Sequence, residues 1–256
     1  MTYYDRYKNG ECREVCSELL AMGTAVRDSA VVEDAAAVAR EFVSRAVRNV
    51  KQIHSRLLGL GYAFRRPKKA LVVREEPCYR EVNAFEREMG TLPLVVREWY
   101  ARVESLDFGQ SEDQFRQSDS DLKGLEWHYE LLVWSLDEAM LAWAELKEQH
   151  QELREHYRRE KMNLYQEDPV PCLITGGCAS NNDSDGFSLP CLEFDAVKRE
   201  DGESLTYTDF FRKAFQYGGF PVLTCHDQYL KQHTSLYPRP NIERLLPLLT
   251  QDIIAL

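Results

Sequence analysis

The segment from Asn181 to Gly186, NNDSDG, places oxygen-bearing side chains at alternate positions, as the first half of a calcium loop does. Asn181, Asp183 and Asp185 would be the ligands, and Gly186 would make the sharp bend. Such a loop closes with a bidentate glutamate at its twelfth position. Here that position is Leu192, and Pro190 lies just before it. The neighbours on both sides read as strands, not as the helices that flank such a loop. A polar hairpin turn is the better reading.

Thiols and imidazoles offer no stronger constellation. Cys12 and Cys16 sit one helical turn apart, and Cys172 and Cys178 flank a Gly-Gly turn, so neither pair has zinc-knuckle spacing. The six histidines are dispersed, with no H-E-x-x-H. Cys225 and His226 form a nominal nucleophile and base, but neighbours on an extended chain point to opposite sides. A nucleophile elbow, a Walker loop and a dinucleotide fingerprint are all missing from the sequence. Gly176-Gly177 and Gly218-Gly219 read as a turn and a helix stop. The expectation is a chain with no catalytic residue, no cofactor and no metal. An enzyme would need an unrecognised pocket of titratable groups.

Composition sets the wider bounds. With 256 residues, 44% hydrophobic and 11% aromatic, the chain can build a core and is not disordered. No apolar run reaches the ~18–20 residues that span a bilayer, and the start MTYYDRYKNGECREVC lacks a signal-peptide core. The seven cysteines are odd in number and irregularly spaced, which reads as reduced thiols. The expectation is a soluble cytoplasmic protein. Charge is uneven: residues 1–90 hold 16 Lys/Arg against 13 Asp/Glu, and residues 91–256 hold 16 against 29, giving +3 and −13 and the net −10. The acidic part would repel nucleic acid and suits a basic protein partner, although acidity also serves plain solubility.

The elements that would position any site follow from periodicity. Cys12, Val15, Leu19 and Met22 recur at helical spacing. Ala36, Val38, Phe42, Val43, Ala46, Val47, Val50 and Ile53 predict a long helix over about Val32 to Leu58, ended by Gly59 and Gly61. Arg65, Arg66, Lys68 and Lys69 around Pro67 read as a solvated connector rather than a nucleic-acid tract. Tyr79, Val82, Phe85 and Met89 share a helical face closed by Gly90. Thr91 is placed as the cap of the next helix, with Pro93 near its first turn and Leu94, Val95, Trp99 and Val103 as its buried side. A DNA-reading helix-turn-helix is disfavoured, since the second helix offers only Arg97 and Arg102.

Residues 109–123, GQSEDQFRQSDSDLK, read as a polar surface loop. A buried strand is expected in WHYELLVWSL, then a helix from Leu136 to Leu164 whose second half is polar. PVPCLITGG and GFSLPCLEF read as two strands. TYTDFFRKAFQYGGF reads as an amphipathic helix capped by Thr206 or Thr208, and a last short helix runs from about Ile242 to Leu249. The expected fold is α+β, an antiparallel-rich sheet packed against helices, with residues 1–60 as an N-terminal helical extension and 61–256 as the domain.

The stretch FEREMGTLPLVVREWYARVESLDF resembles the core signature of the SUKH superfamily, the Smi/Knr-like fold. The resemblance rests on Met89-Gly90, Leu92-Pro93 and Trp99-Tyr100. LLVWSLDEA resembles the family's central strand, and SLPCLEF with TYTDFFRKAFQYGGFP its closing strands and helix. Glu104-Ser105-Leu106-Asp107 departs from the family's usual turn. The resemblance covers roughly residues 60–225 and implies protein binding with no catalytic residues. Many bacterial members are immunity proteins that neutralise toxins, often nucleases, and eukaryotic members are regulatory scaffolds.

Two partner readings therefore stand: an inhibitor of a basic toxin, or a scaffold subunit. The expected contact surface is Glu104, Asp107, Glu112, Asp113, Asp119 and Asp121, set against the plain alternative of solvated loop charges.

Overall fold

The computed structural model describes residues 1–116, 122, 130–159, 172–175, 185–189, 191–200, 203–220 and 242–256. Helices α1 (Tyr3–Lys8), α2 (Cys12–Ala21) and α3 (Val32–Gly59) open the chain, with a 3₁₀ turn at Gly23–Arg27 before α3. Thr2 and Asp5 form a capping box at α1. The Asp34 carboxylate, in the first turn of α3, accepts the N–H groups of Tyr3 and Tyr4 and ties α1 to α3. The long helix spans the expected residues, and its stripe Val38, Phe42, Val43, Ala46, Val50 and Ile53 is buried.

These helices are not an appendage. One buried cluster takes in Tyr7, Leu19, Phe42, Trp99, Phe211 and Leu256 together, so residue 60 is not a boundary of the core. At its centre, Trp99 meets Phe211 at 4.5 Å between ring centroids, and Tyr207 meets Phe211 at 5.1 Å and Phe187 at 5.7 Å. Phe42 of α3 packs edge-on against Phe211.

The fold is α+β. A five-stranded antiparallel sheet runs β1 (Leu71–Val73), β2 (Val103–Asp107), β3 (Leu132–Val133), β4 (Cys172–Thr175) and β5 (Asp185–Ser188) in spatial order. The register sets Leu106 against both Leu71 and Val133. A hairpin of β6 (Val197–Glu200) and β7 (Glu203–Thr206) follows, pairing Glu200 with Glu203. Between them the sequence reads Asp201-Gly202, a two-residue hairpin signal.

Helix α4 (Tyr79–Met89) stops at Gly90, whose φ of 91° suits a glycine. Helix α5 (Leu94–Arg102) begins at Pro93 rather than under a Thr91 cap. Its first N–H groups are satisfied from afar instead, Leu94 by the Glu193 carbonyl and Val95 by the Phe194 carbonyl. All residues from Leu94 to Ala101 except Arg97 are buried, so α5 is a core helix with no face for a DNA groove. The polar stretch expected as a loop contains α6 (Glu112–Arg116). Helix α7 (Leu136–Arg159) starts where expected, and the rest of its expected span lies outside the described residues. Helices α8 (Tyr207–Gln216) and α9 (Ile242–Thr250) complete the order. No helix among the described residues is long and apolar enough to cross a membrane.

Candidate functional site

Two adjoining polar features form around β2, one on either side of the first turn of α7. The first is a hub centred on Asp107, the last residue of β2 and only 1% exposed. Its Oδ2 accepts from Arg66 Nε at 2.5 Å, and its Oδ1 accepts from Arg65 Nη2 at 3.4 Å and from the Gly109 N–H at 2.9 Å. Arg65 also lies 3.8 Å from the Glu130 carboxylate. Arg66 reaches Glu138 at 2.8 Å, and Lys69 reaches the same oxygen at 3.3 Å. The basic run around Pro67 is thus a clamp on three carboxylates, not a solvated connector. A buried carboxylate needs such partners, and these cations supply them.

Glu138 links the hub to the second feature. Ser135 and Glu138 form a capping box at the start of α7: the Glu138 N–H donates to Ser135 Oγ, and Glu138 Oε2 accepts from the Ser135 N–H at 3.0 Å. Burial raises the carboxyl of Glu138, but the hydrogen bonds from Ser135 and Arg66 outweigh it and hold it below its ordinary value.

The second feature is a cleft of about 300 Å³ lined by Arg74, Glu81, Tyr100, Val103, Glu104, Ser135, Leu136 and Asp137. Glu104 of β2 is exposed, while its neighbours Val103 and Ser105 are buried. Tyr100 and Val103 supply a buried floor, and the Tyr100 hydroxyl donates to the Trp134 carbonyl at 2.8 Å. Burial pushes that phenol above its ordinary range. Arg74 is already committed. It donates to the Tyr100 carbonyl at 2.9 Å, pairs with Glu81, and lies 3.7 Å from Glu104. One guanidinium among Glu81, Glu104 and Asp137 leaves the lining with a formal excess of two negative charges. Ser135 is spent on the helix cap, and among the described residues no histidine or cysteine lines the cleft. The cleft is concave, part-apolar and negative, which suits an ammonium or guanidinium group.

The expected contact residues do not form one cluster. Glu104 is exposed and lines the cleft. Asp107 is enclosed by the hub and is unavailable to a partner, so its place on the contact surface is corrected: a buried acid here holds the basic loop. Glu112 and Asp113 are exposed in the first turn of α6, beyond the opposite end of β2 from Glu104. Asp119 and Asp121 lie outside the described residues, as do Asn181 and Asp183 of the calcium-like turn. Asp185 and Gly186 belong to β5. Arg74, Glu81 and Asp137 escaped the sequence reading because they come from three separate elements. Arg74 follows β1, whereas Glu81 and Asp137 lie in the first turns of α4 and α7.

Among the described residues no group of three or more His, Cys, Asp or Glu is placed to hold a metal. Cys12, Cys16, Cys78 and Cys191 are free thiols. No protein-family model, curated protein or solved structure matches the chain.

Proposed function

We propose that the protein is a protein-binding module that receives a basic segment of a partner in the Glu104 cleft. In this reading it is an immunity-type inhibitor that neutralises a toxin, with a nuclease as the basic partner best suited to its charge. The observation that carries the reading is the cleft lining: three carboxylates, one committed arginine and a floor of Tyr100 and Val103. The −13 balance over residues 91–256 extends the same field and would speed encounter with a basic surface. The SUKH-like signature at Met89-Gly90 and Leu92-Pro93 points to the same class. No catalytic residue or cofactor takes part.

A regulatory scaffold subunit is the second reading. It draws on exposed Leu141, 65% accessible on α7, as an apolar contact for a further subunit.

The test is capture of partners by the tagged protein in its own host extract, at low and high salt, beside a Glu104→Lys/Asp137→Lys variant. A basic partner held at low salt, released at high salt and lost from the folded variant is the expected result, with association slowed roughly tenfold or more. Equal capture by the folded variant, or capture indifferent to salt, overturns the cleft as the docking site. A stable set of several proteins lost on Leu141→Asp moves the assignment to the scaffold.

A further inference from the structure

Residues 193–196 serve the starts of two helices. The Glu193 and Phe194 carbonyls accept the first N–H groups of α5, and the Ala196 carbonyl accepts the N–H of Tyr207, the first residue of α8. Between them, Asp195 Oδ2 accepts the Thr208 N–H at 3.1 Å. Asp195 is 2% exposed, and its other oxygen, Oδ1, is buried with no hydrogen-bond partner.

Arg212, one turn further along α8, carries the complementary unmatched atom. Its Nη1 donates to Thr208 Oγ1 at 3.2 Å and to Asp209 Oδ1 at 2.8 Å, and its Nε donates to the Leu256 carbonyl at 3.0 Å. Its Nη2 is buried and has no acceptor. One threonine therefore touches both groups, Asp195 through its N–H and Arg212 through its hydroxyl. An acceptor without a donor and a donor without an acceptor belong to the two side chains that meet on it.

Leaving a buried polar atom unmatched is unfavourable, and far more so for an ionised carboxylate than for a neutral carboxyl. This arrangement suits a neutral Asp195, since the guanidinium is engaged with Asp209 and Leu256. Burial favours the neutral form and raises the carboxyl to about 6, against the pull of the Thr208 hydrogen bonds and of Arg212. Tyr207 of α8, Cys16 of α2 and Cys191 on the same segment face the carboxyl, and Tyr7 of α1 faces the guanidinium. Burial raises each of these four above its ordinary value, so they stay neutral while Asp195 titrates, and Arg212 is the charge that acts on it.

We propose that Asp195 and Arg212 form a pH-operated latch on α8. With Asp195 neutral, Arg212 ties α8 to Leu256. When Asp195 loses its proton to solvent, the guanidinium turns Nη2 to Asp195 Oδ1 and ties α8 to residues 193–196 instead. The ion pair of Arg212 with the exposed Asp209 gives way to a buried one, and both unmatched atoms are satisfied together. The main chain keeps its place in both states: Asn49 of α3 holds Ile254 by two hydrogen bonds, and the carbonyls of Glu193, Phe194 and Ala196 hold the helix starts. Mild acidification thus changes which segment α8 grips. The latch is separate from the Glu104 cleft and stands whether or not the cleft binds a partner.

Crystal structures of the wild-type chain at about pH 5 and about pH 8 test it, because those values bracket the transition. At the higher pH, Arg212 Nη2 should lie about 2.8 Å from Asp195 Oδ1 and Nε should have left the Leu256 carbonyl. At the lower pH the contacts with Asp209 and Leu256 should remain. Asp195→Asn cannot ionise and should keep the low-pH arrangement in both crystals. A wild-type guanidinium that holds Leu256 and Asp209 at both pH values overturns the proposal. In solution, the NMR signal of the wild-type Arg212 Nε–H should titrate with the midpoint of the Asp195 carboxyl. A signal that stays flat across that midpoint overturns the proposal as well.

Discussion

Arg66 and Asp107 meet through a charge-assisted hydrogen bond, Nε to Oδ2 at 2.5 Å, that closes the basic loop over the end of β2. The acid is buried, while the Arg66 side chain is 39% exposed, so water screens the cation more than the anion. Asp107→Asn keeps the shape and removes the charge facing Arg65 and Arg66. The hub should loosen without the full cost of breaking a wholly buried pair. A loss of about 2–3 kcal/mol is expected, read as a lower midpoint with an unchanged slope in urea unfolding.

Asp195 gives stability a pH dependence of unusual sign. It is 2% exposed, and its Oδ2 accepts the Thr208 N–H at 3.1 Å. Burial pushes its carboxyl up to about 6, against the opposing pull of the Thr208 hydrogen bonds and of Arg212. With the folded value raised, the native state binds more protons than the unfolded chain between roughly pH 4 and 6. This residue's contribution is therefore fully present below that window and is lost as pH rises through it. Asp195→Asn should flatten the profile. Relative to the variant, the wild type should lose about 2–3 kcal/mol between pH 4 and 7 in thermal unfolding.

How much of this was legible depends on what each residue's pattern records. The α3 stripe and the Met89-Gly90 stop follow from local periodicity and φ, and both appear where the sequence places them. Strands β6 and β7 do not, because four residues each are too few to show an alternating pattern against noise, whereas β3 falls within the strand expected in WHYELLVWSL. Gln110 and Gln114 read as loop residues, yet both are buried. Gln114 accepts the Ala63 N–H and donates to the Gly61 carbonyl, and Gln110 donates to the Leu122 carbonyl. Side-chain amides there satisfy main-chain groups that no helix or strand serves, a role composition does not reveal. The cleft was half visible. Glu104 stood out by charge, but Arg74, Glu81 and Asp137 join it only through tertiary packing of distant parts of the chain.

Thr206 caps α8 by accepting the Asp209 N–H at 3.0 Å. The helix carries Tyr207, Phe210 and Phe211 into the central aromatic cluster, so its start is coupled to the core. Thr206→Ala should cost about 1 kcal/mol, and Thr206→Asp, which retains an acceptor, should recover most of it in the same urea assay.

Two glycines at helix ends should respond in opposite directions to the same added methyl. Gly218 follows α8 with φ of +63°, and a Cβ there would lie 2.6 Å from Leu249 Cβ on α9. That neighbour is the root of a buried side chain and cannot swing away. Gly218→Ala therefore combines a left-handed backbone with a clash and should destabilise by about 2–3 kcal/mol, loosening α9 first. Gly59, the last residue of α3, has nothing within 4 Å of its would-be Cβ and no positive φ. Gly59→Ala restricts the unfolded chain and suits the helix, for a gain of about 0.5–1 kcal/mol. Melting temperatures of the two variants should straddle the wild type. A Gly218→Ala chain as stable as the wild type would show that α9 does not pack on the end of α8 as described.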